Sequence, residues 1–446
     1  MKILFVTERF PWPLEDGGNL RTFHVLKALS KNNAVTLLSH TPRMNQDSAI
    51  NELEKLCAVN TVAPPNKLAS LSRILSQPWN WQKSLFVLKN WSAPLYDASR
   101  QLLKQSEFDA VHFNHLDTAT FVTQQSWPKV IFDSHNCVST MAQQLAVNSL
   151  SMWKRWLYRY ESRALKAAEK AVCERCDVVL ACSEQDRNSF LQLAPKTNVN
   201  VVPNGVETAA FCRLAQPELH RSGRDLIPRI VFTGAMDYSP NVIGVDWFCK
   251  KVLPLIQKQR PNVLFQIVGR NPTARVQKWN NHADPEQDNT HFGDDEKVGI
   301  EVTGRVESVQ PYLEQAAVVV VPLLDGGGTR LKILEAFAAQ RAVVSTSKGA
   351  EGIDAVPRKD ILLADDPESF ANEVLRLLDN PAAANQIAKA GHQLAVQQYD
   401  WKSIGKQISK VVRGLQKQDQ SIKVTERKPN LRFSQKGMKL LKKVNG

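Results

Sequence analysis

The feature that most narrows the folds open to this chain is an alternation of short apolar runs with helical patterns, which occurs twice. Lys2–Val6, Ala34–Leu38, Ala110–Phe113, Val130–Asp133, Asp177–Ala181 and Val199–Val202 read as strands, with helical periodicity between them, notably over Trp153–Lys170. Strands apolar at nearly every position are covered on both faces, which points to a parallel sheet flanked by helices. A second series follows Pro203-Asn204-Gly205. Its strands are Ile230–Thr233, Leu264–Val268, Ile300–Thr303, Val318–Val321, Ala342–Ser345 and Ile361–Leu363, with helices near 241–257, 308–316, 329–339 and 367–379. The 446 residues are about three times a typical domain of roughly 150. The turn and the polar stretch 207–227 therefore place a first Rossmann-like domain at 1–205 and a second at 206–398. A helix at 399–416 is expected to pack back on the first domain, and 417–446 forms a tail. Two doubly wound α/β domains facing each other leave a central cleft at the carboxyl ends of their strands, where ligands bind in such folds.

Several function classes drop out. The longest apolar run, Ala316–Leu324, is broken by Pro322 and falls far short of the roughly twenty residues of a spanning helix. The opening MKILFVTERF lacks a basic region followed by a long apolar stretch, so no secretory signal is expected. Seven scattered cysteines then read as free thiols of a reducing cytoplasm, and Cys173 and Cys176, without a second pair or a nearby histidine, as ordinary ones. No Asp-x-Asp occurs, and Asp294-Asp295-Glu296 lies in a polar insertion over 273–297, so neither metal nor cofactor is expected. The net charge is 57 − 44 = +13, of which the tail carries nine Lys/Arg against Asp419 and Glu426, or +7. A tail mixing cations with apolar groups over Leu431–Lys443 suits an anionic membrane surface. Nucleic acid is disfavoured, since no recognised nucleic-acid module accompanies it. The segments Pro78–Trp91 and Trp153–Lys170 interleave rings with Lys and Arg in the same way.

The stretch Val318–Glu351 concentrates the chemistry. A buried strand leads to Gly326, Gly327 and Gly328, which let backbone approach a ligand, and Thr329 is expected to start a helix whose amides and dipole favour an anion. Arg330 and Lys332 in the first turn oppose that dipole unless an anion compensates them. Glu335 lies within reach of a neighbouring polar group. Near the start, Asp16-Gly17-Gly18 precedes a helix that Asn19 is expected to cap, with Leu20, Phe23, Leu26 and Leu29 on one face. His112, His115 and His135 each follow a strand.

In order along the chain come DGG with LRTFHVLKALS, DSHN at 133–136, ACSE at 181–184, VVPNGVE at 201–207, VFTGAMDYSPN at 231–241, FQIVGRNP at 265–272, VTGRVESVQPYLEQA at 302–316 and GGGTRLKILEAFA. With these motifs, residues 1–416 resemble a retaining glycosyltransferase of family 4 with the GT-B fold. The resemblance implies that Gly17 and Gly18 lie opposite a donor diphosphate and that Gly234 belongs to the same donor site. It implies that Gly304, Arg305 and Val306 hold the nucleotide base by backbone, and that amides around Gly327, Gly328 and Thr329 meet diphosphate and sugar. Glu335 matches the second glutamate of the family's pair, which bonds the ribose hydroxyls, and His135 matches the family histidine near donor phosphate or acceptor. Two departures stand out. The first glutamate of the pair falls on Gly327, with Asp325 as the one nearby carboxylate. The Arg and Lys of many members, shortly after the second domain's first strand, have no counterpart in Ala235–Asn241, which leaves Arg330 and Lys332 as substitutes. The implied reaction is metal-independent transfer from a nucleoside-diphosphate sugar to a lipid-linked or polysaccharide acceptor. A nucleotide-sugar epimerase or phosphorylase on the same fold and a non-catalytic nucleotide-sugar sensor are the alternatives.

Overall fold

The computed structural model describes residues 1–14, 16–42, 46–65, 84–149, 151–212, 227–280, 299–326 and 329–426. Gly327, Gly328, the acidic part of the insertion (281–298), Trp79 and Trp81, and the tail from 427 onward lie outside the described residues.

Two all-parallel sheets organise the chain. The first has the order β3-β2-β1-β4-β5-β6-β7, built from β1 (Lys2–Thr7), β2 (Ala34–His40), β3 (Ala58–Val62), β4 (Ala110–Asn114), β5 (Lys129–Asp133), β6 (Val178–Ala181) and β7 (Val199–Val201). The second has the order β10-β9-β8-β11-β12-β13, from β8 (Arg229–Thr233), β9 (Leu264–Val268), β10 (Gly299–Gly304), β11 (Val318–Val321), β12 (Val343–Ser345) and β13 (Leu362–Leu363). Helices cover both faces, so central strands such as Ile3–Val6, Leu264–Val268 and Val318–Val321 are buried at every residue. The helices used below are α1 (Gly17–Ser30), α2 (Leu85–Asn90), α3 (Val138–Asn148), α4 (Met152–Cys173), α5 (Ser239–Trp247), α6 (Leu331–Ala338) and α7 (Trp401–Glu426).

Two local expectations are corrected. The cap of α1 is Asp16, whose carboxylate accepts the Asn19 amide at 2.9 Å, while the Asn19 side chain donates backwards to the Pro13 carbonyl. Three residues separate Asp16 from the amide it serves, which is the spacing a capping side chain needs. The helix expected to start at Thr329 starts at Leu331, and Arg330 takes the cap position with φ −84° and ψ 84°.

The chain crosses between the sheets twice, and the crossings lie side by side. Val206 donates its amide to the Tyr399 carbonyl at 2.8 Å, and Trp401 returns one to Val206 at 3.3 Å. A side chain at Gly205 would strike Ile404 and the Tyr399 carbonyl within 3 Å, which fixes glycine at that point. Helix α7 then buries Ile404, Ile408, Val412 and Leu415 against Ile3, Phe5, Leu26 and Leu29 of the first sheet's core, and Trp401 stacks on His24 at 4.6 Å. Spacing of three to four residues puts those four aliphatic groups on one stripe. The last described helix thus packs on the half where the chain began. Among the described residues, no helix is long and apolar enough to cross a membrane.

Candidate functional site

A cleft of about 1030 Å³ opens between the halves. Leu14, Asp16 and Gly17 form its first wall; the β8, β9 and β10 loops and α6 form the second. Backbone crowding shapes its floor. Gly234 follows β8 with φ +154°, and an added Cβ would lie 2.7 Å from the Asn241 amide and 2.9 Å from the Lys332 ammonium. Gly269, after β9 and also at φ +154°, passes so close to the Gly234 carbonyl that a Cβ there would overlap it. Only glycine at both loops lets them nest and leaves open space above.

Helix α6 and its cap residue deliver three charged side chains to this floor. Lys332 donates to Asn241 Oδ1 at 2.8 Å and lies 3.9 Å from the centre of the Phe232 ring. Burial, and then the charge of Arg330, push its ammonium well below the ordinary 10.5, with Glu335 opposing. Arg330, buried at the helix start, is lowered by burial as well, against the pull of Tyr238, Glu351 and Asp325. Glu335, one turn beyond Lys332, is raised above 4.5 by burial despite the lysine. In each case burial, which disfavours the charged form, is the leading cause of the shift. The loop Ala235–Asn241 has no cation of its own. Lys332 supplies one from α6, tied to that loop by Asn241, whose own amide donates to the Ala235 carbonyl.

The first wall is set by a hydrogen-bond chain. Asn114, at the end of β4, donates to the hydroxyls of Thr7 and Thr22, each at 3.1 Å. Those hydroxyls donate onward to the Arg9 and Gly18 carbonyls. Donation in that sense turns the Asn114 carbonyl toward His135 Nε2, 3.0 Å away, so Nε2 carries the proton and Nδ1 is left an acceptor. Nδ1 lies 3.9 Å from where a Gly18 Cβ would stand. Burial, and then His115 tilted against it with a centroid distance of 3.6 Å, push the imidazole well below 6.5 and keep it neutral. His112 takes no part in the cleft: it is wholly buried, stacked on Phe5, with Nε2 3.6 Å from Asp133 Oδ2. Beneath lies a closed ion pair. The Arg21 guanidinium meets Asp133 at 2.6 Å and donates to the Val202 carbonyl at 2.8 Å, so the glycine-loop helix is bolted to the first crossing.

Of the residues singled out from sequence, Gly17, Gly234, Arg305, Val306, Thr329, Arg330, Lys332 and Glu335 line the cleft. Gly17 approaches α6 so closely that a Cβ would lie 2.8 Å from Leu331 Cδ1. Gly18 and His135 sit together just behind the first wall, and Gly304 precedes Arg305 with φ +70°, a turn that favours glycine. Gly327 and Gly328 lie outside the described residues. Sequence reading missed Asn114, Tyr238 and Asn241. Nothing in their residue types marks them, because their roles depend on which carbonyl or cation the fold sets beside them. Cys173 and Cys176 are thiols pushed up by burial. Among the described residues, no three His, Cys, Asp or Glu groups converge as metal ligands would.

Residues 16–210 match the family described as Glycosyltransferase Family 4, and residues 227–380 match Glycosyl transferases group 1. An uncharacterized 44.6 kDa protein in the cps region of Klebsiella pneumoniae is 22% identical over 433 residues, covering 92% of this chain and 99% of that one. Among solved structures, sucrose-phosphate synthase from Thermosynechococcus elongatus superposes with a TM-score of 0.62 at 18% identity, over 93% of this chain and 98% of that one. Anabaena HepE in complex with UDP gives 0.61 at 14% identity, over 93% and 100%. At such identities the likeness is one of fold, and that fold is GT-B.

Proposed function

From the premise that the chain is a GT-B glycosyltransferase, a family 4 domain leading into a group 1 domain, we propose that it moves a sugar from a nucleoside-diphosphate donor to a hydroxyl acceptor with retention. The observation that carries this reading is the Lys332 ammonium, held by Asn241 against the Gly234 backbone at the cleft floor. A diphosphate placed there would gain Arg330 and Lys332 as fixed counter-charges and would raise the lowered lysine back toward its charged form. Electrostatic stabilisation of the departing diphosphate is the chief means by which such a site accelerates the reaction. Glu335 suits the ribose, since a carboxylate accepts from two hydroxyls at once. Neutral His135, with Nδ1 as an acceptor, suits a hydroxyl of the donor sugar or the acceptor. Substrate alignment does the rest, with attack on the face the diphosphate leaves and the proton passing to that diphosphate.

The relative in a cps region supports an acceptor in cell-surface polysaccharide synthesis; a glycolipid acceptor and a site at the cytoplasmic side of the membrane are part of the proposal. Calorimetry with UDP-, GDP- and ADP-sugars, followed by donor hydrolysis in excess EDTA, tests the proposal. Binding of one donor with slow release of its nucleoside diphosphate is the expected result. Binding without turnover, even with acceptor extracts, would favour the sensor. Activity abolished by EDTA and restored by magnesium or manganese would reject the metal-independent route.

A further inference from the structure

Seven of the twelve large apolar side chains exposed among the described residues gather on one feature of the first half, the helical hairpin α3–α4 and the adjoining α2. At the hairpin tip Val147 is 72% exposed, Met152 75%, Trp153 63% and Trp156 59%, with Leu145 beside them and Leu85 and Phe86 on α2. Scattered exposed apolar residues are ordinary; a cluster marks a contact surface.

The tip's direction follows from two carboxylates. Helix α3 leaves the carboxyl end of β5, and its first amides, Val138 and Ser139, donate to buried Glu169 of α4. From Glu169 back to Met152, α4 spans about 25 Å at 1.5 Å per residue, so the tip projects well beyond the strand ends, on the edge that carries His135. Glu161 accepts from the Leu85 amide and the Ser84 hydroxyl, both at 2.7 Å, which holds α2 against α4. These are the only acids of the hairpin, and both are spent on internal contacts. The outward stripe of α4 therefore presents Trp156, Arg159, Arg163 and Lys166 with no acid among them.

We propose that this tip docks on an anionic lipid bilayer. Depth along α4 matches bilayer chemistry. Val147, Met152, Trp153 and Trp156 come first, where apolar groups and indoles enter the acyl boundary. Arg159 and Arg163 follow roughly 10 and 16 Å behind Met152, at the level of lipid phosphates. Docked this way, the edge bearing Gly18 and His135 faces the membrane side, where a lipid-linked hydroxyl is presented. The surface is independent of donor chemistry, so failure of the transferase reading would leave vesicle binding intact.

Cosedimentation of the full chain with neutral phosphatidylcholine vesicles, and with vesicles containing one quarter phosphatidylglycerol, tests this. Tighter binding to the anionic vesicles by tenfold or more is expected, weakening with added salt because exposed charges are screened over about 10 Å at 0.1 M. Trp153→Ser with Trp156→Ser should lower that binding about tenfold, and so should Arg159→Glu with Arg163→Glu. A chain ending at Gln416 should keep it within about threefold. Unchanged circular dichroism and nucleotide binding would show these variants folded. Wild-type binding by either hairpin variant, or loss on removal of 417–446 alone, would overturn the proposal and give the contact to the tail. Self-association abolished by the Trp changes, without vesicle binding, would give the tip to a second copy of the chain instead.

Discussion

In the first half of the molecule, Arg21 and Asp133 meet at 2.6 Å with no exposed surface; in the second, Lys332 and Glu335 stand one helical turn apart at the cleft. The first cluster is closed off from water and the second is half-buried in the cleft wall, and burial acts on them differently. Burial opposes the Asp133 charge most strongly, but Arg21, His112 and His135 together outweigh it and hold that carboxyl far below the usual carboxylate range. At the cleft burial wins, and Lys332 is pushed down while Glu335 is pushed up. A buried charge whose partner is supplied by the fold stabilises the fold. One displaced toward neutrality by burial gains if a partner of opposite charge arrives from outside.

The comparison breaks most decisively through stability. Arg21→Met leaves Asp133 charged and buried without its partner, and loss of one member of such a pair costs about 3–5 kcal/mol. Urea unfolding should show a loss of that size. Lys332→Met removes a charge that burial already disfavours, so its stability should match or exceed wild type. A stable Arg21→Met variant, or a Lys332→Met variant destabilised as severely, would erase the distinction between the clusters.

Turnover should rank the variants the other way. Arg330→Ala and Lys332→Met should each lower donor turnover by roughly a hundredfold, the scale of one lost transition-state stabiliser. Wild-type rates in both would dismiss them as the diphosphate clamp. Glu335→Gln should act on binding, weakening nucleotide affinity about tenfold with little effect on the rate at saturation, since an amide replaces one charged acceptor at the ribose. A kcat loss exceeding the affinity loss would move Glu335 from the ribose to the reacting sugar.

How much of this was legible in the sequence follows the same division. Central strands announced themselves, since a strand buried on both faces must be apolar throughout, as Val318–Val321 is. The edge strand Ala58–Val62, half-buried and interrupted by Asn60 and Thr61, went unread for the complementary reason. Arg330, Lys332 and Glu335 were legible because three charges crowd a helix start after three glycines. Arg21 was not: an arginine on an amphipathic helix reads as solvated, and only the fold shows Asp133 and the Val202 carbonyl waiting for it. Asn114 was hidden likewise, because its work is to orient a histidine twenty-one residues away.

The smallest predicted effect discriminates best between the clusters, because it concerns protons alone. A diphosphate beside Lys332 raises the pKa that burial and Arg330 have lowered, so binding takes up a proton between the depressed value and the ordinary 10.5. Affinity should fall with rising pH across that window, by at most about tenfold per unit for one proton. At the acid end Glu335 works in reverse. Its carboxyl, raised above 4.5, must be charged to accept the ribose hydroxyls, so binding expels a proton and affinity falls as pH falls through the raised value. Nucleotide affinity should therefore peak between two limbs. Lys332→Met should flatten the alkaline limb and Glu335→Gln the acid one, whereas Arg21→Met should move neither, since Arg21 and Asp133 lie outside the cleft lining. Calorimetry in buffers of different ionisation enthalpy reads the proton count directly. An alkaline limb that survives Lys332→Met would mean that another group meets the diphosphate.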